Sequence, residues 1–163
     1  MRRSRGFTLV ELLACIAVLA IAGAAALAAV GDRDDLRVRQ AEELFRETLA
    51  TGRLLAVRNP ARPLVVQVDG EGKSWWVAEA ATPAVPLARS EIAEGLGGLA
   101  RVQLGEGSAD GLGAVRVRLE GSLRFDRYGG LEATGDATVR FVAGEETRAI
   151  VVRRATGVAI AAP

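Results

Sequence analysis

The sequence predicts an α+β protein: one long N-terminal helix, apolar in its first half and amphipathic in its second, packed on a C-terminal antiparallel β-sheet or sandwich. Three observations predict it. From Phe7 to Val30 the chain is apolar except for Thr8 and Glu11. From Asp34 to about Val57 apolar residues recur at helical spacing. Beyond Pro60 and Pro63 the period falls to two, with turn-forming residues between the alternating runs. A chain of 163 residues has room for one ordinary core.

Residues 1–6 hold Arg2, Arg3 and Arg5 and no acid. Residues 7–30 follow as a helix that, at about 1.5 Å per residue, reaches roughly 36 Å and so exceeds a hydrocarbon core of about 30 Å. The basic flank precedes it and an acidic flank, Asp32 to Asp35, follows it. The positive-inside rule then puts the N-terminus in the cytoplasm and the rest of the chain outside it. An ordinary secretory signal would be cut after the apolar run, for instance near Ala24-Ala25-Ala26. The length of the run and the acid near its start argue for a retained helix. Glu11 demands a partner, because a carboxylate inside a membrane helix costs a few kcal/mol unless paired, protonated or near the interface. If the chain were cut after Gly6, the new amine at Phe7 would stand four residues away as that partner.

Residues 31–59 continue the helix in amphipathic form. Ala41, Leu44, Phe45, Thr48, Leu49, Leu55 and Ala56 make one face, and Arg37, Arg39, Glu42, Glu43, Arg46 and Glu47 make a solvated one. Gly31 marks the junction, and Asn59-Pro60 and Pro63 stop the helix near Arg58. Residues 60–163 form the β-rich domain. Strands are expected at Leu64–Val68, Ser74–Ala78, Leu99–Leu104, Ala114–Leu119, Ser122–Arg127, Ala137–Val142 and Arg148–Arg153. Turns fall at 69–72, 105–113, 120–121, 129–130 and 144–146, each with a glycine. The segment 82–98, interrupted by Pro83 and Pro86, is an irregular excursion with one short helix near Ser90–Glu94.

The run Gly6-Phe7-Thr8-Leu9-Val10-Glu11-Leu12-Leu13 resembles the class III signal of type IV pilins and type II secretion pseudopilins. The resemblance implies that residues 1–6 are a leader peptide and that a prepilin peptidase cuts between Gly6 and Phe7 and methylates the Phe7 amine. It also implies that Glu11 pairs with the N-terminal amine of a neighbouring subunit and sets register in a filament. Further along, Arg53-Leu54-Leu55-Ala56-Val57-Arg58-Asn59, Leu123 to Gly130 and Arg148 to Val158 are similar to the GspH/FimT group of minor pseudopilins and minor pilins. That likeness implies a structural subunit of a type II secretion pseudopilus, anchored in the inner membrane with a periplasmic head. Its implied partners are other major and minor pseudopilins. Small residues from Ala22 to Ala25, Gly23 above all, would let helices approach closely in the filament core.

The alternative is a FimT-like minor pilin of a type IV pilus, engaged in DNA uptake or adhesion. Arg148, Arg153 and Arg154 are the candidate DNA or partner contacts. Against this, removing the leader arginines from 21 basic and 20 acidic side chains turns the balance slightly negative, which does not attract nucleic acid. Gly157 is followed by Val158-Ala159-Ile160 in place of the arginine-bearing motif that the DNA-binding members share. On a strand, the adjacent Arg153 and Arg154 would face opposite sides. A third class, a membrane-anchored domain unrelated to filaments, requires that peptidase processing fail.

Other chemistry finds little footing. Histidine is absent, which removes the commonest general base and His-ligated metals. Cys15 stands alone inside the apolar run, so no intrachain disulfide can form, and it reads as a small apolar filler. Gly95-Leu96-Gly97-Gly98 lacks the flanking strand and basic residue of a phosphate loop. Of the adjacent Trp75 and Trp76, one should face inward and the other outward. Neither an enzymatic activity nor a cofactor is expected.

Overall fold

The computed structural model describes residues 9–31, 33–88 and 101–162, the side chains of 24–31 excepted. The chain divides into two compact units, Met1–Arg33 and Asp34–Pro163. The first contains helix α1, Leu9–Gly31. Among the described residues no helix is long and apolar enough to cross a membrane, so the spanning role of 7–30 rests on the sequence.

Helix α2, Arg33–Arg58, begins with Asp34 and Asp35 in its first turn and ends with Arg58 in its last, both favourable to the helix dipole. Its last turn closes through the Asn59 N–H, which donates to the Leu55 carbonyl at 3.0 Å. Pro60 then prevents continuation. Ala41, Phe45, Thr48, Leu49 and Ala56 of the expected face are buried, Val38 joins them, and Leu44 and Leu55 are only partly buried.

Among the described residues eight strands follow: β1 Leu64–Val68, β2 Ser74–Glu79, β3 Arg101–Gln103, β4 Arg116–Glu120, β5 Leu123–Phe125, β6 Ala137–Ala143, β7 Glu146–Val152 and β8 Ala159–Ala161. They form two four-stranded sheets, ordered β3-β2-β1-β5 and β4-β6-β7-β8. Every pairing is antiparallel. All seven expected strands are present, β1 with the expected bounds and the others with shifted ends. β5 stops at Phe125 because the Asp126 carboxylate captures the N–H groups of Tyr128 and Gly130, at 2.8 and 2.9 Å, and turns the chain. β7 ends at Val152, so Arg153 and Arg154 lie in a turn and strand alternation does not govern them. β8 and the short 3-10 turn Gly107–Ala109 are additions to the sequence reading. The expected helix at Ser90–Glu94, the Gly95–Gly98 run and the start of the Leu99 strand lie outside the described residues.

Phe45 of α2 joins the two sheets. Its ring meets Trp75 of β2 edge-on at 5.3 Å and Phe141 of β6 at 5.6 Å, distances at which such pairs add to their area burial. The Trp75 indole N–H donates to the Thr48 hydroxyl at 3.0 Å, and that hydroxyl donates to the Leu44 carbonyl at 2.9 Å. The sheets also meet directly where the Val117 N–H of β4 donates to the Gly72 carbonyl at 2.8 Å. Gly72 has a φ of +70°, and a Cβ there would overlap the Val117 carbonyl oxygen. Glycine is thus required by conformation and by contact.

Candidate functional site

The residues of the expected cleavage and methylation site, Gly6 and Phe7, lie outside the described residues. Glu11 falls in the first turn of α1, where a carboxylate complements the positive end of the helix dipole. Around it the helix presents apolar side chains on every side: Leu9, Val10, Leu12, Leu13, Ile16 and Leu19 are each more than half exposed, and Cys15 is exposed among them. Each such side chain gains about 1.5–3 kcal/mol on full burial. A helix that is apolar all round belongs in a bilayer or inside a helix bundle. This surface is the first candidate site, and its chemistry is association.

The three candidate arginines do not converge. Arg148 of β7 lies against α2, with Nη1 at 3.5 Å from Glu42 and Nε at 3.9 Å from Asp35. Arg153 pairs with Asp136 at 2.8 Å, and the Arg154 backbone N–H donates to the same carboxylate at 2.7 Å. The Arg154 N–H bond and then the Arg153 bond hold the Asp136 carboxyl below its ordinary range. Arg148 and Arg153 therefore each face carboxylates, which weakens any call on phosphate.

Two motifs far apart in sequence do meet. The turn after β5 packs under Gly157, which has a φ of +63° and whose Cβ would overlap the Gly129 carbonyl oxygen. The Phe125 ring lies against the same glycine. Beside this turn a cleft of about 280 Å³ is lined by Ala56, Pro60, Pro63, Phe125 and Tyr128 among others. Tyr128 is exposed, with the Arg127 guanidinium 5.0 Å over its ring. Trp75 is the inward indole and Trp76 the outer one. Trp76 is half-covered, donating to the Pro83 carbonyl at 2.9 Å with Arg101 over its ring, so loop cover accounts for it. Among the described residues no group of three His, Cys, Asp or Glu side chains is placed to hold a metal ion.

The expected solvated face of α2 makes a further structural contact beside the one from Glu42 to Arg148. Arg46 pairs with Glu42 at 2.8 Å and its Nη1 donates to the Ala159 carbonyl of β8 at 2.6 Å. Because β8 itself escaped the sequence reading, so did this bond.

Residues 1–27 match a family model described as the prokaryotic N-terminal methylation motif. The chain carries a type IV pilin-like prepilin signal. Such a motif implies processing by a prepilin peptidase, assembly with other pilins and a membrane-anchored start to that assembly. No curated protein and no solved structure matches this chain.

Proposed function

We propose that the chain is a minor pseudopilin of the GspH/FimT group: a structural subunit, not an enzyme, of a type II secretion pseudopilus that serves protein export across the outer membrane. The observation that carries this reading is a prepilin-type signal on a helix whose described apolar side chains are exposed on every side. Before assembly the Phe7–Val30 segment spans the inner membrane, N-terminus in the cytoplasm, with the α2 and β-sheet head in the periplasm. Cleavage between Gly6 and Phe7 and methylation of Phe7 give the mature subunit. Glu11 then pairs with a neighbour's N-terminal amine, relieving the cost of a carboxylate in an apolar surround. Secretion is preferred to DNA uptake because Arg148 and Arg153 are each engaged by carboxylates.

Intact-mass spectrometry of the membrane-extracted protein tests the processing. Coexpression with an active prepilin peptidase should remove residues 1–6 and add one methyl group, and a catalytically dead peptidase should do neither. An unprocessed chain, or one cut beyond Ala22, contradicts the proposal. In the host, deletion should abolish export of secreted enzymes and leave DNA uptake intact; the reverse result would assign the chain to a type IV pilus.

A further inference from the structure

We propose that the outer edge of β8 is a strand-addition site, and that the groove between β8 and α2 receives an extended, carboxylate-bearing segment of a partner protein. Among the described residues β8 has one hydrogen-bonded neighbour, β7. The Arg153 N–H donates to the Val158 carbonyl and the Ala162 N–H to the Ala149 carbonyl, each at 3.0 Å. Those bonds fix the phase: Val158, Ile160 and Ala162 face β7, while Ala159 and Ala161 direct their N–H and carbonyl groups away from it. The bond from Arg46 to the Ala159 carbonyl shows that this outward side faces α2. The Ala159 N–H and both backbone groups of Ala161 have no strand partner among the described residues.

Two other edges are each met by a bond from outside the sheet. At the outer side of β4 the Val117 N–H is taken by Gly72, and at the outer side of β5 the Arg124 carbonyl accepts the Glu132 N–H at 2.9 Å. β8 has one such bond, from Arg46 to the Ala159 carbonyl, but it lacks the charges and proline that usually protect an edge, since Val158-Ala159-Ile160-Ala161 is uncharged and Val158 and Ile160 are exposed. Alongside it runs a groove of about 220 Å³, lined by Arg46, Leu49, Ala50, Arg53 and the 157–159 backbone. Arg46 and Arg53 stand two helical turns apart, about 10 Å along the axis, the length of three extended residues and thus of β8. Arg46 is neutralised by Glu42. Arg53 is half-buried and has no ion pair among the described residues. An open backbone edge beside an apolar floor selects a strand, and Arg53 selects a carboxylate on it.

The site does not depend on which filament the chain joins, so its test is separate from the processing test. A random heptapeptide phage library is panned on the full-length protein in detergent, and the enriched peptides are synthesised and measured by calorimetry. The expected peptides alternate apolar residues and carry at least one Asp or Glu. Ala161→Pro removes only an outward N–H and blocks the incoming strand, and should weaken binding by about tenfold or more. Arg53→Gln should erase the preference for Asp over Asn at the enriched acidic position. Circular dichroism checks that both variants keep their strands. Absence of an enriched set, or peptides that bind the Ala161→Pro variant as well as wild type, overturns the proposal. A concentration-dependent dimer that Ala161→Pro abolishes, with no peptide bound, would assign the edge to a second copy and overturn the partner assignment.

Discussion

Phe45 touches an aromatic ring in each sheet, and this one side chain has no substitute among its neighbours. Phe45→Ala should destabilise the protein by about 3–5 kcal/mol, as large truncations in packed cores do. Thr48→Val keeps the volume but leaves the buried Trp75 indole N–H without its acceptor, a loss of about 1–3 kcal/mol. Urea unfolding followed by tryptophan fluorescence measures both. Asp69 gives a pH-dependent counterpart. Burial alone would raise its carboxyl, but donation from the Lys73 N–H at 2.7 Å and the Ser74 hydroxyl at 2.9 Å, with further backbone bonds, outweighs burial and lowers it. A carboxyl lowered in the folded state stabilises above its unfolded value of about 3.9 and loses that contribution as pH falls through the folded value. The stability gap between wild type and Asp69→Asn should therefore be present at pH 6 and shrink towards pH 3. The turn around Asp69 was legible in sequence as Asp-Gly-Glu-Gly. The rings that meet across the core were not, because nothing local links position 45 to positions 75 and 141.

Among the elements, strands with apolar and polar residues in strict alternation announced themselves, as in β6, where Ala137, Val139, Phe141 and Ala143 are buried. β8 did not, since its residues are small, apolar and free of alternation, and only its pairing with β7 makes it a strand. The extent of β5 was misread for a related reason: the Asp126 turn competes for the chain and wins it by two bonds. Helical spacing alone puts Arg46 on the solvated face, because its acceptor belongs to β8, which no local pattern marks. The bond it makes predicts a local effect. Arg46→Ala should loosen β8 by about 0.5–1.5 kcal/mol, visible as faster hydrogen exchange at the amides of 158–162, with protection in β6 unchanged.

For the whole molecule, the candidate site was legible where chemistry and sequence are contiguous. The leader, Gly6-Phe7 and Glu11 sit together in one run, and the methylation-motif match covers them. The β8 edge is assembled from α2 and the last strand, more than a hundred residues apart, and no local pattern announces it. The apolar core of the second unit begins at Val38 among the described residues. A chain starting at Asp34 should therefore unfold cooperatively, with a urea midpoint within experimental error of the full-length protein's. On the proposed function, Glu11→Leu should be cleaved and methylated as wild type is, yet fail to co-sediment with assembled filaments, since processing reads the Gly6-Phe7 junction and assembly reads the carboxylate.

The position of Phe45 also governs how the head would bear a load. A pull entering at Arg33 and directed along α2 cannot peel one sheet from the helix and then the other, because Val38, Ala41, Phe45, Leu49 and Ala56 lie in one buried stripe and Phe45 is held by both sheets. The contacts would be strained together, in shear, and the head would yield late and all at once. On the proposed function, a subunit pushed and extracted with its filament would be served by that kind of rupture.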